Sequence, residues 1–301
     1  MPETLTIAIT GGTGFLGPYV IEAAAARGYK LRLLVRNPKK LSGKLGRNIS
    51  IIKGSLSDIP AGFTSGVDVV LHMAGLIKAP RKAAFFDVNA DGTGRLAAQA
   101  EADGVARFVY LSSQAASQPQ LSGYGASKRG GEDRLQQSYQ GERVIIRAPA
   151  VFGPGDQATA PFFAFMKRGL LPVPGGKGWQ TRKLSLIYAP DLARFIIDQI
   201  EATSISSEPL MPASVASITW PEFAAAASEV MGHKVRPLPL PVFILKLVAG
   251  INSALRRFFN PHLTLGKLSE FLYEDWSVGG VIDAPTAFTT ALRETMQGET
   301  N

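Results

Sequence analysis

Short apolar runs recur through the first 150 residues, and longer segments with helical spacing separate them. The runs predict buried strands at Leu5–Thr10, Lys30–Val35, Ile49–Lys53, Val67–His72, Arg107–Ser112 and Arg143–Arg147. Helices are predicted between them at Phe15–Arg27, Phe85–Asp103 and Tyr124–Tyr139. Because strands alternate with helices, we expect parallel βαβ units and a doubly wound α/β sheet with helices on both faces.

The regular alternation ends near Gly153-Pro154-Gly155, and most of the prolines follow it. We expect Leu184–Tyr188 and Asp191–Ile200 to return to the main sheet. The predicted domains are therefore 1–156 plus about 184–205, and a smaller C-terminal α/β domain of about 157–183 plus 206–301. In this second domain, Thr219-Trp-Pro-Glu222 has the spacing of a capping box and predicts a helix start.

A helix predicted at Val242–Phe259 carries a broad apolar face. The face consists of Ile244, Leu247, Val248, Ile251, Leu255 and Phe258, widened by Phe243 and Phe259. Its first interpretation is a helix that covers the core. The alternatives are a pocket wall for an apolar substrate, or a face that rests on a membrane through its basic edge. A second apolar cluster, Phe162, Phe163, Phe165 and Met166, fits a pocket wall as well.

Composition narrows the chemistry that this chain can perform. The formal net charge is +8, the chain has no cysteine, and its three histidines lie far apart in sequence. Disulfides and thiolate catalysis are excluded, and no metal site is predicted. Because the Lys and Arg residues are scattered, we expect a solvated basic surface and no nucleic-acid partner. No signal peptide or spanning segment is evident, which predicts a cytoplasmic protein.

A glycine-rich loop follows the first predicted strand and precedes the first predicted helix. It reads Thr10-Gly-Gly-Thr-Gly-Phe-Leu-Gly17 and fits G-x-G-x-x-G through Gly12, Gly14 and Gly17. Glycines permit the tight turn and a close approach of pyrophosphate, and the helix N-terminus attracts its charge. The pattern predicts a Rossmann-type dinucleotide site that includes Gly11, Gly12, Thr13, Gly14, Phe15, Leu16 and Gly17.

The end of the second strand bears on which dinucleotide binds. NAD sites usually place Asp or Glu there to hold the ribose hydroxyls. This chain instead reads Val35-Arg36-Asn37-Pro38-Lys39-Lys40. Arg36, assisted by Lys39 or Lys40, is suited to pair with a 2′-phosphate, which predicts NADP, with NAD as the alternative.

Tyr124-Gly-Ala-Ser-Lys128 places a phenol and an ammonium on one face of a helix. A nearby ammonium favours the phenolate, so the pair can move a proton while a nicotinamide exchanges hydride. The strand ending Phe108-Val-Tyr-Leu-Ser-Ser113 brings two hydroxyls to the edge of the sheet where ligands bind. A serine there is suited to hold a substrate oxygen.

Taken together, these segments make the chain resemble the extended short-chain dehydrogenases/reductases, also called the NAD-dependent epimerase/dehydratase family. The likeness covers the first 200 residues well. The matching segments are Thr10–Gly17, Gly54–Asp58, Val69–Gly75, Asn89–Thr93, Phe108–Ser113, Tyr124–Lys128 and Arg147–Asp156.

The resemblance implies a role for each matching position. It makes Ser113 the catalytic Ser/Thr, Tyr124 the acid/base and Lys128 the ligand of the nicotinamide ribose. It places Asp58 and Ile59 at the adenine. The other implied positions are Ala74 and Gly75 along the cofactor, Asn89 as support of the active-site helix, Pro149–Phe152 beside the nicotinamide, and Gly178–Arg182 with Ser185–Tyr188 and Asp191 in the substrate-contacting stretch.

Two departures guide the functional hypotheses. Gln114-Ala115 stands where sugar dehydratases of this family carry Asp-Glu, which argues against a dehydratase. The segment between Ser113 and Tyr124 is short, so the substrate lid is reduced. The first hypothesis is a reductase or dehydrogenase for a carbonyl or hydroxyl of a small, apolar substrate. The alternatives are a nucleotide-sugar epimerase, and a non-catalytic cofactor-binding assembly subunit like the accessory proteins of respiratory complex I. The resemblance also suggests a homodimer.

Overall fold

A computed structural model describes residues 4–41, 46–157, 160–255 and 263–298. They divide into two compact units. The first runs through Arg147 and adds Ala193–Leu210, and the second comprises Ala148–Leu192 and the chain from Met211 onward. That the first unit binds the cofactor and the second binds the substrate stays a prediction.

The first unit is a six-stranded sheet in the order β3-β2-β1-β4-β5-β6. The pairings from β3 through β5 are parallel, as the alternation of strands and helices predicts. The strands are β1 (Thr6–Thr10), β2 (Lys30–Val35), β3 (Ile49–Lys53), β4 (Val69–His72), β5 (Arg107–Ser113) and β6 (Glu142–Ala148). The helices are α1 (Gly17–Ala26), α2 (Lys82–Asn89), α3 (Asp91–Ala102) and α4 (Gly123–Ser138). The Rossmann-type α/β prediction is confirmed.

The core of this unit lies between the sheet and its helices. Buried aromatic and aliphatic side chains from β4, β5, α3 and α4 form one cluster, which includes Val70, Leu96, Phe108, Leu135 and Tyr139. The predicted helix Phe85–Asp103 is two helices, α2 and α3, which meet at Ala90, where φ is −103° and ψ is −66°.

The second unit contains two small sheets. One has the order β10-β9-β7 and the other pairs β11 with β8. The strands are β7 (Ala150–Phe152), β8 (Leu170–Pro174), β9 (Lys183–Tyr188), β10 (Val215–Thr219) and β11 (Arg236–Leu240). The helices are α5 (Ala160–Met166), α6 (Ala189–Glu201, shared with the first unit), α7 (Trp220–Met231), α8 (Val242–Leu255), α9 (Leu265–Leu272) and α10 (Phe288–Gln297).

The expectation that Leu184–Tyr188 returns to the main sheet is wrong. This strand, β9, pairs with β7 and β10 in the second unit. Residues 148–156 and 184–192 consequently belong to the second unit rather than the first. The capping box is confirmed, because Thr219 and Glu222 exchange side-chain and backbone hydrogen bonds at the start of α7.

Two expectations about apolar clusters need correction. Phe163 and Met166 do not line a pocket, because they are buried in the core of the second unit with Leu171 and Trp220, and Phe162 packs against them. The apolar face of α8 does not cover the core, because its six large side chains within Val242–Leu255 are exposed. Residues 256–259 of that predicted helix lie outside the described residues.

Candidate functional site

The loop between β1 and α1 has a shape that only glycine permits. Gly11 has φ +82°, and a Cβ there would lie 2.6 Å from the backbone nitrogen of Ala74. A Cβ on Gly17 would lie 2.1 Å from the carbonyl oxygen of Gly12. Two turns close the loop, since Gly14 N–H donates to Gly11 O (2.9 Å) and Gly17 N–H donates to Gly14 O (3.0 Å). The predicted phosphate loop therefore requires glycine at positions 11 and 17.

This loop fits the diphosphate of a dinucleotide. No side chain caps α1 at Leu16, so no side chain competes with an anion for the helix N-terminus. Thr13 and Gly14 are exposed and Phe15 is partly exposed. Gly12 is buried against Ile21 and does not face solvent.

Arg36 is the first residue after β2 and is exposed. The chain then turns, because the Asn37 side chain accepts a hydrogen bond from Lys39 N–H (3.1 Å) and caps a 3₁₀ helix at Pro38–Lys40. The side chain of Lys40 lies outside the described residues. Since β2 is next to β1 in the sheet, Arg36 follows the strand that neighbours the strand of the phosphate loop.

Asp58 and Ile59 lie in the turn that follows β3. The backbone N–H and C=O groups of Asp58 both pair with Ser55, each at 3.1 Å, and the Asp58 side chain is exposed. Ile59 is half-buried and packs against the core of the first unit. These positions agree with an adenine contact through a carboxylate and a backbone, which stays a prediction.

A buried hydrogen-bond chain supports the end of β4. Thr10 Oγ1 lies 2.6 Å from His72 Nδ1, and His72 Nε2 lies 2.9 Å from Thr93 Oγ1. The Thr93 hydroxyl donates to Asn89 O, so His72 Nε2 must donate to Thr93 and Nδ1 must accept from Thr10. Burial and the charge of Lys128 lower the pKa of His72 to about 3, which keeps the ring neutral.

The same network fixes the loop predicted to run along the cofactor. Thr10 Oγ1 accepts the N–H of Ala74 (3.2 Å), and Gly75 follows with an exposed backbone. Asn89 is fully buried and clamps the next residue, since it accepts from Leu76 N–H (2.7 Å) and donates to Leu76 O (2.9 Å). Its amide also donates to Ser127 Oγ on α4 (2.9 Å). The network therefore joins the loop at residues 74–76 to the helix that carries Tyr124.

The structure brings Ser113, Tyr124 and Lys128 to adjoining segments. Ser113 ends β5, and its hydroxyl oxygen accepts from Ala115 N–H (3.2 Å). Tyr124 lies in the first turn of α4, one residue before Gly125. The two segments touch on both sides of Ser113. Lys128 Nζ donates to the carbonyl oxygen of Leu111 (2.7 Å), and a Cβ on Gly125 would lie 2.6 Å from the carbonyl oxygen of Ala115.

Lys128 is an unusual lysine because it is only 4% exposed. Its ammonium lies over the ring of Tyr110, 4.3 Å from the ring centroid. Burial lowers the pKa of Lys128 to about 7, and the negative charge of Glu132 opposes that shift. A buried amine with a lowered pKa is typical of functional sites.

Sequence reasoning missed the ion pair that lies one turn beyond Lys128. Glu132 is buried, and its carboxylate accepts from Arg147 Nη2 (2.6 Å) and Nε (3.0 Å) and from the Ser112 hydroxyl. A signal was available, because Tyr124, Lys128 and Glu132 repeat at four-residue spacing and share one face of α4. The pair joins α4 to β5 and β6 and supplies the negative charge near Lys128.

Three positions implied by the resemblance lie in the second unit. Pro149 is buried directly after β6. Arg182 is buried, and its guanidinium donates to the carbonyl oxygens of Pro174 (2.8 Å) and Gly175 (3.0 Å), so it holds its own loop. Asp191 is fully buried and accepts from Ser214 and from the backbone and hydroxyl of Thr286. Arg182 and Asp191 thus have hydrogen-bond partners within the second unit.

Comparison with known proteins agrees with this fold. Residues 7–207 match the NAD dependent epimerase/dehydratase family. A ceramide reductase of Caulobacter vibrioides is 34% identical over 276 residues, which cover 90% of this chain and 85% of the relative. A UDP-glucose 4-epimerase of Vibrio cholerae is 26% identical, covering 82% and 81%. The solved UDP-N-acetylglucosamine 4-epimerase of Methanobrevibacter ruminantium M1 superposes with a TM-score of 0.74 at 19% identity, covering 100% and 99%.

Proposed function

The chain belongs to the NAD-dependent epimerase/dehydratase family, and we propose that it is an NADPH-dependent reductase of a carbonyl group on an apolar, ceramide-like lipid. The observation that supports the proposal is the contact between β5 and α4, which brackets Ser113 with the first turns of the helix that carries Tyr124 and Lys128. The 34% identity to a ceramide reductase over 90% of the chain supports the lipid substrate.

NADPH, when bound, supplies the hydride, and the protein's own groups supply the rest of the chemistry. The loop from Gly11 to Gly17 and the N-terminus of α1 hold the diphosphate. Ser113 donates a hydrogen bond to the substrate carbonyl oxygen, and the Tyr124 phenol gives that oxygen its proton. Lys128 stands one helical turn behind Tyr124 and holds the ribose hydroxyls.

The charges of residues 157–182, the stretch that the resemblance places near the substrate, favour an apolar substrate over a nucleotide sugar. A nucleotide sugar carries a diphosphate that needs cations, and this stretch offers four: Lys167, Arg168, Lys177 and Arg182. The structure removes the best of these, because Arg182 is buried and bound to the carbonyls of its own loop. The intact Ser113, Tyr124 and Lys128 weigh against a non-catalytic assembly subunit.

The substrate proposal is tested with a panel of carbonyl compounds. We expect NADPH consumption with a keto derivative of ceramide or another long-chain ketone, and none with UDP-glucose. The Tyr124→Phe variant serves as the blank. Interconversion of UDP-sugars without lipid reduction would overturn the proposal and identify an epimerase instead. Native mass spectrometry of the purified protein adds an independent readout, since an epimerase retains NAD through its cycle.

Cofactor preference is predicted to depend on Arg36. Its charge-assisted contact with the 2′-phosphate should favour NADPH over NADH by about 1.5–3 kcal/mol. Arg36→Asp should reverse the preference, because the carboxylate repels the phosphate and accepts the ribose hydroxyls. Titration calorimetry with both cofactors measures it. Lys234→Asp makes the same charge change at an exposed position of the second unit and should leave the ratio intact. Equal affinities of the parent protein for both cofactors would contradict the prediction.

A further inference from the structure

Helix α8 has its apolar face turned outward. The large side chains of this face are Phe243 (72% exposed), Leu247 (64%), Ile251 (51%), Ile244 (44%), Val248 (42%) and Leu255 (40%). From one helical turn to the next these side chains recur at a spacing of three or four residues, so they form one continuous stripe without a charged residue. We call this stripe the α8 face.

The uncharged polar side chains of the helix point the opposite way, and its single lysine is exposed. Asn252 Nδ2 donates to the carbonyl oxygen of Leu263 (2.9 Å), and Ser253 Oγ accepts from Leu265 N–H (3.0 Å). Both bonds reach the segment that begins α9, and Ala249 is fully buried on that side. A water-facing helix of a globular protein shows the reverse arrangement, with polar groups outward. The inverted arrangement indicates an apolar medium outside the α8 face.

The basic residues near α8 in the sequence indicate what this apolar medium is. Residues 230–269 contain no Asp or Glu and six basic residues, Lys234, Arg236, Lys246, Arg256, Arg257 and Lys267. An apolar stripe within a segment of purely positive charge matches an anionic lipid surface, where acyl chains lie beneath negative headgroups. A second copy of the chain fits poorly, because pairing the two faces would bring two basic segments together.

We propose that α8 is a membrane-docking helix that lies in the interface of an anionic bilayer, with Phe243, Leu247 and Ile251 among the acyl chains. The helix lies on the surface rather than crossing it, since the described residues include no helix long and apolar enough to span a bilayer. The proposal does not depend on which substrate the enzyme reduces, because it rests on the α8 face and its charge alone.

Vesicle sedimentation tests the proposal with the full-length protein. We expect binding to vesicles of phosphatidylcholine and phosphatidylglycerol in a 7:3 ratio, with weaker binding to pure phosphatidylcholine and at high salt. The double variant Phe243→Asp/Leu247→Asp should lose about tenfold or more of the partition coefficient. Both positions are exposed, so the fold and NADPH binding should be retained. The control Val281→Asp adds charge at an exposed apolar position (53%) outside the helix and should bind like the parent.

Light scattering, which reports the oligomeric state, distinguishes membrane docking from pairing of two copies of the chain. Equal vesicle binding by the parent and the double variant would overturn the proposal. So would a parent dimer that fails to bind vesicles and that Phe243→Asp/Leu247→Asp converts to monomer, because the α8 face would then be an interface between copies. Failure of lipid reduction in the substrate panel leaves these readouts unaffected, so the two proposals fail separately.

Discussion

Replacing Tyr124 by Phe is expected to lower hydride-transfer turnover by about 10²-fold or more, the usual scale for loss of a general acid/base. The change removes the proton donor and keeps the ring, whose edge contact with Phe85 has a centroid distance of 6.1 Å. Folding and α4 should therefore be unchanged. NADPH affinity should persist as well, because the proposed diphosphate site is the loop after β1 rather than the phenol.

Single-turnover oxidation of bound NADPH measures this effect, with calorimetry to confirm that the cofactor still binds. Tyr273→Phe is the matched control, since it removes a hydroxyl from the second unit at a ring that packs against Trp276. Its turnover should equal that of the parent. Normal turnover by the Tyr124 variant would show that another group protonates the substrate, and the proposed mechanism would be wrong.

The sheet of the first unit could be predicted because each of its strands and helices is specified by residues that are neighbours in the sequence. Each strand is a short apolar run, each helix has its own spacing, and the parallel pairing follows from their alternation. The helix break at Ala90 could not be predicted, because both halves share one helical pattern. The pairing of β9 with β7 and β10 could not be predicted either, since a strand pattern does not name its partner.

The candidate site also has features that the sequence predicts and features that it cannot predict. The glycine loop, Arg36, Ser113, Tyr124 and Lys128 are motifs with fixed spacing, so the sequence identifies them. The neutral tautomer of His72 and the burial of Arg182 depend on contacts between residues distant in the chain. The α8 pattern predicts an apolar face, but periodicity cannot say whether protein or lipid covers it.

Burial of the Lys128 ammonium lowers the stability of the folded protein, although the proposed mechanism needs this residue. Burial lowers its pKa to about 7 from the usual 10.5, so the folded protein binds this proton more weakly than the unfolded chain does. Below pH 7 both states are protonated and the full penalty for burying the ammonium applies. Between about pH 7 and 10.5 the unfolded chain holds more protons, so the stability contributed by this residue rises with pH.

Lys128→Met is consequently expected to raise the free energy of unfolding by about 1–3 kcal/mol below pH 7, and by less as the pH rises toward 10. Two effects oppose each other in this variant. Removing the buried ammonium relieves the burial penalty, and losing its hydrogen bond to Leu111 O costs about 1 kcal/mol. Turnover should fall at least as far as in Tyr124→Phe, because the phenol loses its cationic neighbour. Denaturant unfolding at pH 6 and pH 9 measures the difference, with the exposed Lys234→Met as the control at both pH values. A destabilised Lys128→Met protein would mean that the ammonium is favourably paired in the folded state, contrary to the buried cation described above.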